Sequence, residues 1–146
     1  MSRRAFALAS LLLVAGCSSQ QAQPTPAPTM PDDPCQQVID AMPENLDGEA
    51  LTQRTGTSAT WGSDMVLTCG VQMPAAYKKT SEVYVVNDIS WFGEEQQDGY
   101  TFTAIGREPL VAIDVPSSHS PEVNPLADLA QVMEDTTTVT GPAGKN

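Results

Sequence analysis

The stretch Glu82–Val115, EVYVVNDISWFGEEQQDGYTFTAIGREPLVAIDV, decides the fold. Its short runs are rich in Val, Ile, Tyr, Phe and Thr and are separated by Asn-Asp, Gly and Pro, which is the punctuation of strands and turns. The pattern predicts strands at Glu82–Val86, Ile89–Phe92, Tyr100–Ile105 and Leu110–Val115. Asn87-Asp88 reads as a two-residue hairpin turn, and Gly93–Gly99 (GEEQQDG) as a longer polar tip. Along the last run Val111, Ile113 and Val115 share one side while Leu110, Ala112 and Asp114 share the other. One sheet face is therefore buried and the other wetter.

Upstream, further strands are expected near Leu51–Thr55 and Met65–Val71. Before them, Asp33-Pro34-Cys35-Gln36 opens a helix. Asp33 stands as N-cap, Pro34 sits where its missing N–H costs nothing, and Gln36 is spaced for a capping box. Val38, Ile39 and Met42 share a face of this helix, which Pro43 ends after about nine residues. Downstream, Asn124-Pro125 repeats the cap-and-proline signal, and Leu126, Leu129, Ala130 and Met133 follow at helical spacing. Helix, antiparallel strands, helix is most simply an α+β two-layer sandwich. The expected sheet has about five or six short strands, with the N-terminal and the C-terminal helix on one face.

The chain begins with a short basic region (Ser2, Arg3, Arg4), an apolar run from Ala5 to Ala15, and Leu13-Val14-Ala15-Gly16 directly before Cys17. This is the pattern of a secretory signal ending in a bacterial lipobox, with residues 1–16 cleaved and Cys17 becoming a diacylglyceryl (palmitate-bearing) N-terminus. The apolar run is well short of the roughly 20 residues that a spanning helix needs. Ser2-Arg3-Arg4-Ala5-Phe6 also resembles a twin-arginine export motif, although paired arginines are common in ordinary signals. Residues 17–33 form the lipidated cysteine and a tether: Ser18–Asp33 (SSQQAQPTPAPTMPDD) has four prolines and no aromatic residue. Such a segment cannot bury enough surface to fold, and at roughly 3.1 Å per residue it reaches about 50 Å. A single folded domain is expected over 34–135 and a flexible tail over 136–146.

Loss of residues 1–16 leaves 5 basic and 18 acidic residues, a formal charge of −13. Nucleic-acid binding needs clustered Lys or Arg, and Lys78-Lys79 is the one basic pair remaining. An anionic bilayer repels such a domain, so attachment falls to the lipid on Cys17. With Cys17 so committed, the two remaining cysteines, Cys35 and Cys69, make an even count and are expected to form a disulfide. Two free buried thiols or a metal site are the alternatives. Against a metal, neither cysteine belongs to a Cys-x-x-Cys pair and the single histidine, His119, lies in a Ser/Pro-rich loop.

Trp61-Gly62, Val66-Leu67-Thr68-Cys69-Gly70-Val71 with Pro74, Val86-Asn87-Asp88-Ile89-Ser90-Trp91, Phe102-Thr103-Ala104-Ile105-Gly106-Arg107, Val111–Pro116 and the Leu126-Ala127-Asp128-Leu129 helix follow one another in a recognisable order. This succession resembles the actinobacterial lipoproteins grouped as domain of unknown function 3515, over nearly the whole folded segment. The resemblance implies a shared fold, export and a lipid anchor in an actinobacterial envelope, with no assigned activity. Where the family pattern leads us to expect Asn-Gly at the hairpin turn, this chain has Asn87-Asp88.

Few residues carry candidate chemistry. His119, flanked by Ser117, Ser118 and Ser120, is the one ordinary general base, but a nucleophile needs its base within hydrogen-bond reach and a third group orienting that base. Glu94, Glu95 and Asp98 gather three carboxylates within five residues without the Asp-x-Asp-x-Asp-Gly spacing of a calcium loop, and a solvated hairpin tip is the plainer reading. Trp61 and Trp91 are candidate floors of a binding groove or else core residues. Arg107 is a candidate for carboxylate or phosphate recognition or else a structural ion pair. No catalytic residue, metal or cofactor is assigned. The expectation is a non-catalytic binding or protein-interaction module, lipid-anchored on the extracytoplasmic face of the cell membrane. Its partner is an envelope protein or cell-wall component. A small envelope hydrolase and a solute-binding accessory of a transporter are the alternatives.

Overall fold

The computed structural model describes residues 33–141, so the signal, Cys17, nearly all of the tether and the last five residues lie outside the described residues. In chain order the elements are α1 (Pro34–Asp40), β1 (Asn45–Leu46), β2 (Glu49–Arg54), β3 (Ser58–Trp61), β4 (Met65–Cys69), β5 (Tyr84–Val86), β6 (Ile89–Gln96), β7 (Gly99–Ile105), β8 (Arg107–Glu108), β9 (Val111–Val115), a 3-10 turn at Ser117–His119, α2 (Asn124–Thr136) and β10 (Thr138–Val139). Eight strands form one antiparallel sheet in the order β1-β2-β3-β4-β9-β7-β6-β5, and β8 pairs with β10 separately.

The fold is α+β with an antiparallel sheet and two helices, but the sheet has eight strands rather than five or six. The additional strands β1 and β3 are two and four residues long, too short for a period-2 pattern to declare itself. Strand β6 also runs four residues past Phe92 to Gln96, turning what read as a long polar tip into ladder closed by Gln97-Asp98. The tail boundary moves as well: Thr138–Val139, in a run of β-branched residues, pairs with Arg107–Glu108.

Helix placement differs from a two-layer sandwich. A flat eight-stranded sheet would separate its edge strands by roughly 34 Å at about 4.8 Å per spacing. Yet α2 contacts β1 at one edge and β5 and β6 at the other. Consecutive residues of α2 hold the two edges: an Asp128 carboxylate oxygen accepts from the Asp47 backbone N–H at 3.2 Å, and the Ala127 carbonyl accepts from the Asn87 side-chain amide at 3.5 Å. Neighbours on a helix are separated by a rise of about 1.5 Å, so the sheet must curl until its edges flank one helix. Both docking points are hairpin turns with positive φ, Asp47 (49°) followed by Gly48 (84°), and Asn87 (47°) followed by Asp88 (66°), the geometry that suits the right-handed twist of the paired strands. The helix covers the gap that an open sheet would leave for another chain to pair with.

The concave side holds the core. Trp61, Met65, Leu67, Ile89, Trp91, Phe102, Ile113, Leu126, Leu129 and Met133 are fully buried there, together with Val38 and Ile39 of α1. Strand β9 alternates as read from sequence, with Val111, Ile113 and Val115 buried. The seven-residue α1 is capped by Asp33, whose side chain accepts from the Cys35 N–H at 3.0 Å, while Gln36 turns forward to Asp40 (2.7 Å) instead of closing a capping box. Helix α2 starts at Asn124 itself, and no side chain caps it. A disulfide joins Cys35 of α1 to Cys69 of β4, with Cα atoms 5.5 Å apart. In the chain-entropy account a bridge spanning 34 residues stabilises by roughly 3.5–4 kcal/mol, which offsets much of the marginality of so short a helix.

Candidate functional site

Both indoles singled out from the sequence are core residues, 0% exposed. Trp61 on β3 donates its Nε1–H to the Pro43 carbonyl at 2.9 Å, fixing the exit of α1 against the sheet. Trp91 on β6 pairs across the ladder with Ala104 and Tyr84. A groove floor requires exposed indole, so neither residue supplies one. Among the described residues Arg107 meets no carboxylate as an ion pair. Its half-buried guanidinium donates to the Met133 carbonyl and the Thr137 hydroxyl, both at 3.1 Å, at the C-terminal end of α2. The Met133 carbonyl already accepts the Thr137 backbone N–H at 3.2 Å, and the guanidinium adds a charged donor to it and complements the helix dipole.

His119 lies 3.5 Å from Asp64 through Nε2, its side chain 12% exposed. Two of the serines around it bond elsewhere: Ser117 donates to Asp98, and Ser120 to Glu122 at 3.4 Å. Among the described residues no serine hydroxyl is hydrogen-bonded to His119, so a base and a carboxylate meet without a nucleophile. The three carboxylates Glu94, Glu95 and Asp98 do not converge. Glu94 and Glu95 are consecutive on β6 and so point to opposite faces, and Asp98 lies in the turn beyond. Among the described residues no group of three or more His, Cys, Asp or Glu is placed to hold a metal ion.

The convex face of the sheet carries the most structured polar surface. Strand register sets its rows. Asp114 of β9, Thr101 of β7 and Glu94 of β6 lie side by side, and in the next row Thr68, Ala112 and Thr103 precede Phe92. Over these rows passes the 70–83 segment, which carries no strand or helix of its own. It is held by Gly70 N–H donating to Leu110 O (2.8 Å), by a turn from Pro74 to Tyr77, and by Tyr77 meeting Phe92 edge-on at 5.3 Å. Val71, Gln72 and Pro74 of this segment wall a trough of about 270 Å³ floored by Thr68, Ala112 and Thr103 and flanked by Glu94 and Asp114. Thr101 donates to Asp114 at 2.5 Å. A second hollow of about 160 Å³, lined by Gln96, Asp98 and Tyr100, adjoins it at Asp114.

The sequence placed Ala112 and Asp114 on the wetter side of β9, but Thr101, Thr103 and Gln72 went unremarked. The available signal was the alternation along β7, where Thr101 and Thr103 interleave with Tyr100, Phe102 and Ala104. No curated protein and no solved structure matches the chain. The model of a family described as "Protein of unknown function (DUF3515)" matches residues 5–140, spanning the sheet, both helices and the trough. The chain belongs to that family.

Proposed function

We propose that the protein is an extracytoplasmic lipoprotein of an actinobacterial envelope, held at the cell membrane through diacylglyceryl-Cys17, and that its folded domain is a non-catalytic binding or interaction module. The observation that carries this reading is the Cys35–Cys69 disulfide, because bridges persist in oxidising compartments and are rare in the cytosol. The bridge uses both cysteines left after Cys17, which agrees with an exported chain whose first cysteine is lipidated. Among the described residues no helix is long and apolar enough to cross a membrane, so in this reading attachment rests on the lipid. The module reading draws support from the architecture: helices and core occupy the concave side, and the convex sheet face carries a shaped polar trough.

Membrane fractionation tests the anchor. Cys17→Ser is expected to move the protein from the membrane to the soluble fraction, and unchanged membrane association would overturn lipidation. Crosslinking and co-purification from intact membranes tests the module, with a reproducible envelope partner as the expected result and no partner as the contrary one. The hydrolase alternative keeps one specific observation, the His119–Asp64 pair. A hydrolytic activity abolished by His119→Ala would favour it.

A further inference from the structure

The trough on the convex face has a chemistry that selects its ligand. Its flanks are anionic at Glu94 and Asp114, with Thr101 between them in one cross-strand row. Thr103 lines the floor while only 2% exposed, and its hydroxyl has no hydrogen-bond partner among the described residues. The fully buried side-chain polar atoms without a partner among the described residues are Ser90 Oγ and Trp91 Nε1; the Thr103 hydroxyl is not one of them, and the little surface it keeps is where a ligand donor in the trough can reach it. Val71, Pro74 and Ala112 add an apolar side to the same space.

We infer that this trough binds a primary ammonium at the end of an alkyl stem, a lysine-type side chain presented by a peptide of a partner protein. The inference rests on the module reading above and names its ligand. An ammonium offers three N–H donors and no acceptor, which matches carboxylates on two sides and a hydroxyl beneath. Its methylene stem packs along the apolar wall while the charge stays among polar groups. At about 270 Å³ the space is smaller than the roughly 300–1,000 Å³ of sites that enclose a whole small molecule, so it takes one side chain of a larger ligand. The excess of acidic residues, 18 against 7 basic in the whole chain, steers cations toward the domain and supplies long-range attraction without selecting the position.

The test is an NMR titration of the isotope-labelled full chain with Nα-acetyl-L-lysine amide, using the Nε-acetylated form of the same probe as control. Saturable shifts are expected at the backbone amides of Thr101, Thr103 and Ala112. Affinity should fall about tenfold or more on Nε-acetylation, and likewise in Glu94→Gln and Asp114→Asn, since each change removes a charge-assisted hydrogen bond. The rest of each variant's spectrum must coincide with that of the parent chain, which separates loss of binding from loss of fold. Equal shifts with both probes, or no saturable shift at the trough, overturn the inference. If a membrane partner is still captured by Asp114→Asn as well as by the parent, the trough is not its site and the module reading stands. If the parent itself captures no partner, the module reading fails.

Discussion

Tyr100 shows how a single cross-strand neighbour sets a residue's chemistry. Its register partner on β6 is Glu95, and the carboxylate beside the phenol raises the Tyr100 pKa above 10.0, with lesser contributions from desolvation, Tyr84 and Glu122. The folded chain therefore holds the phenolic proton to higher pH than the unfolded chain does. Stability is unaffected below about pH 10 and falls as pH rises through the folded pKa, because the unfolded state releases the proton first. Ultraviolet titration of Glu95→Gln is expected to bring the Tyr100 transition back toward 10, and an unchanged transition would show that Glu95 is not the cause. Residue-scale features were the least legible in the sequence. Trp61 and Trp91 are equally plausible as core or groove until their surroundings are known, and Arg107 beside so much acid read as an ion pair. Its real partners, Met133 O and the Thr137 hydroxyl, lie 26 and 30 residues away on an element that local pattern cannot connect to it.

Among the elements, α2 is fixed at its far end by that arginine and by β10, which follows it directly and pairs with β8, the strand that carries Arg107. Arg107→Ala removes two hydrogen bonds from a guanidinium to the helix end, and a loss of about 1.5–3 kcal/mol is expected in urea unfolding. A loss below about 0.5 kcal/mol would mean that solvent replaces the arginine without cost. Elements with a strong local signature were read closely: β7, β9 and α2 each carry several apolar residues at their own period, and Asn87-Asp88 turns as expected although Gly is absent, because Asp tolerates positive φ. The hairpin at Asp47-Gly48 was missed despite its Asp-Gly signal, since the strands it joins pair over only two residues each. The convex trough was half legible. Alternation gives its rows, but the 70–83 segment that walls it has no period from which its path follows.

At the scale of the whole molecule, curling is the property that sequence pattern could not express, because it depends on how edges seven strand spacings apart meet one helix. Helix α2 is a shared boundary of β1 and β5, so loosening it should loosen both. Leu129→Ala, in the fully buried face of α2, is expected to cost about 2–5 kcal/mol. Hydrogen exchange should show protection falling together at Leu46 and Val86, more than at the central strands β7 and β9. A fall confined to one edge would refute the shared boundary.

The position of the disulfide has a mechanical consequence. Cys35 is the second residue of α1, and its bridge leads to Cys69 in β4, a central strand of the sheet. Tension applied to the N-terminal end of the chain arrives at Asp33, two residues before the bridge, and passes from there through covalent bonds into the middle of the sheet. Helix α1 is bypassed and is not peeled away turn by turn. A domain pulled from that end is gripped at the centre of its sheet and not at either edge strand.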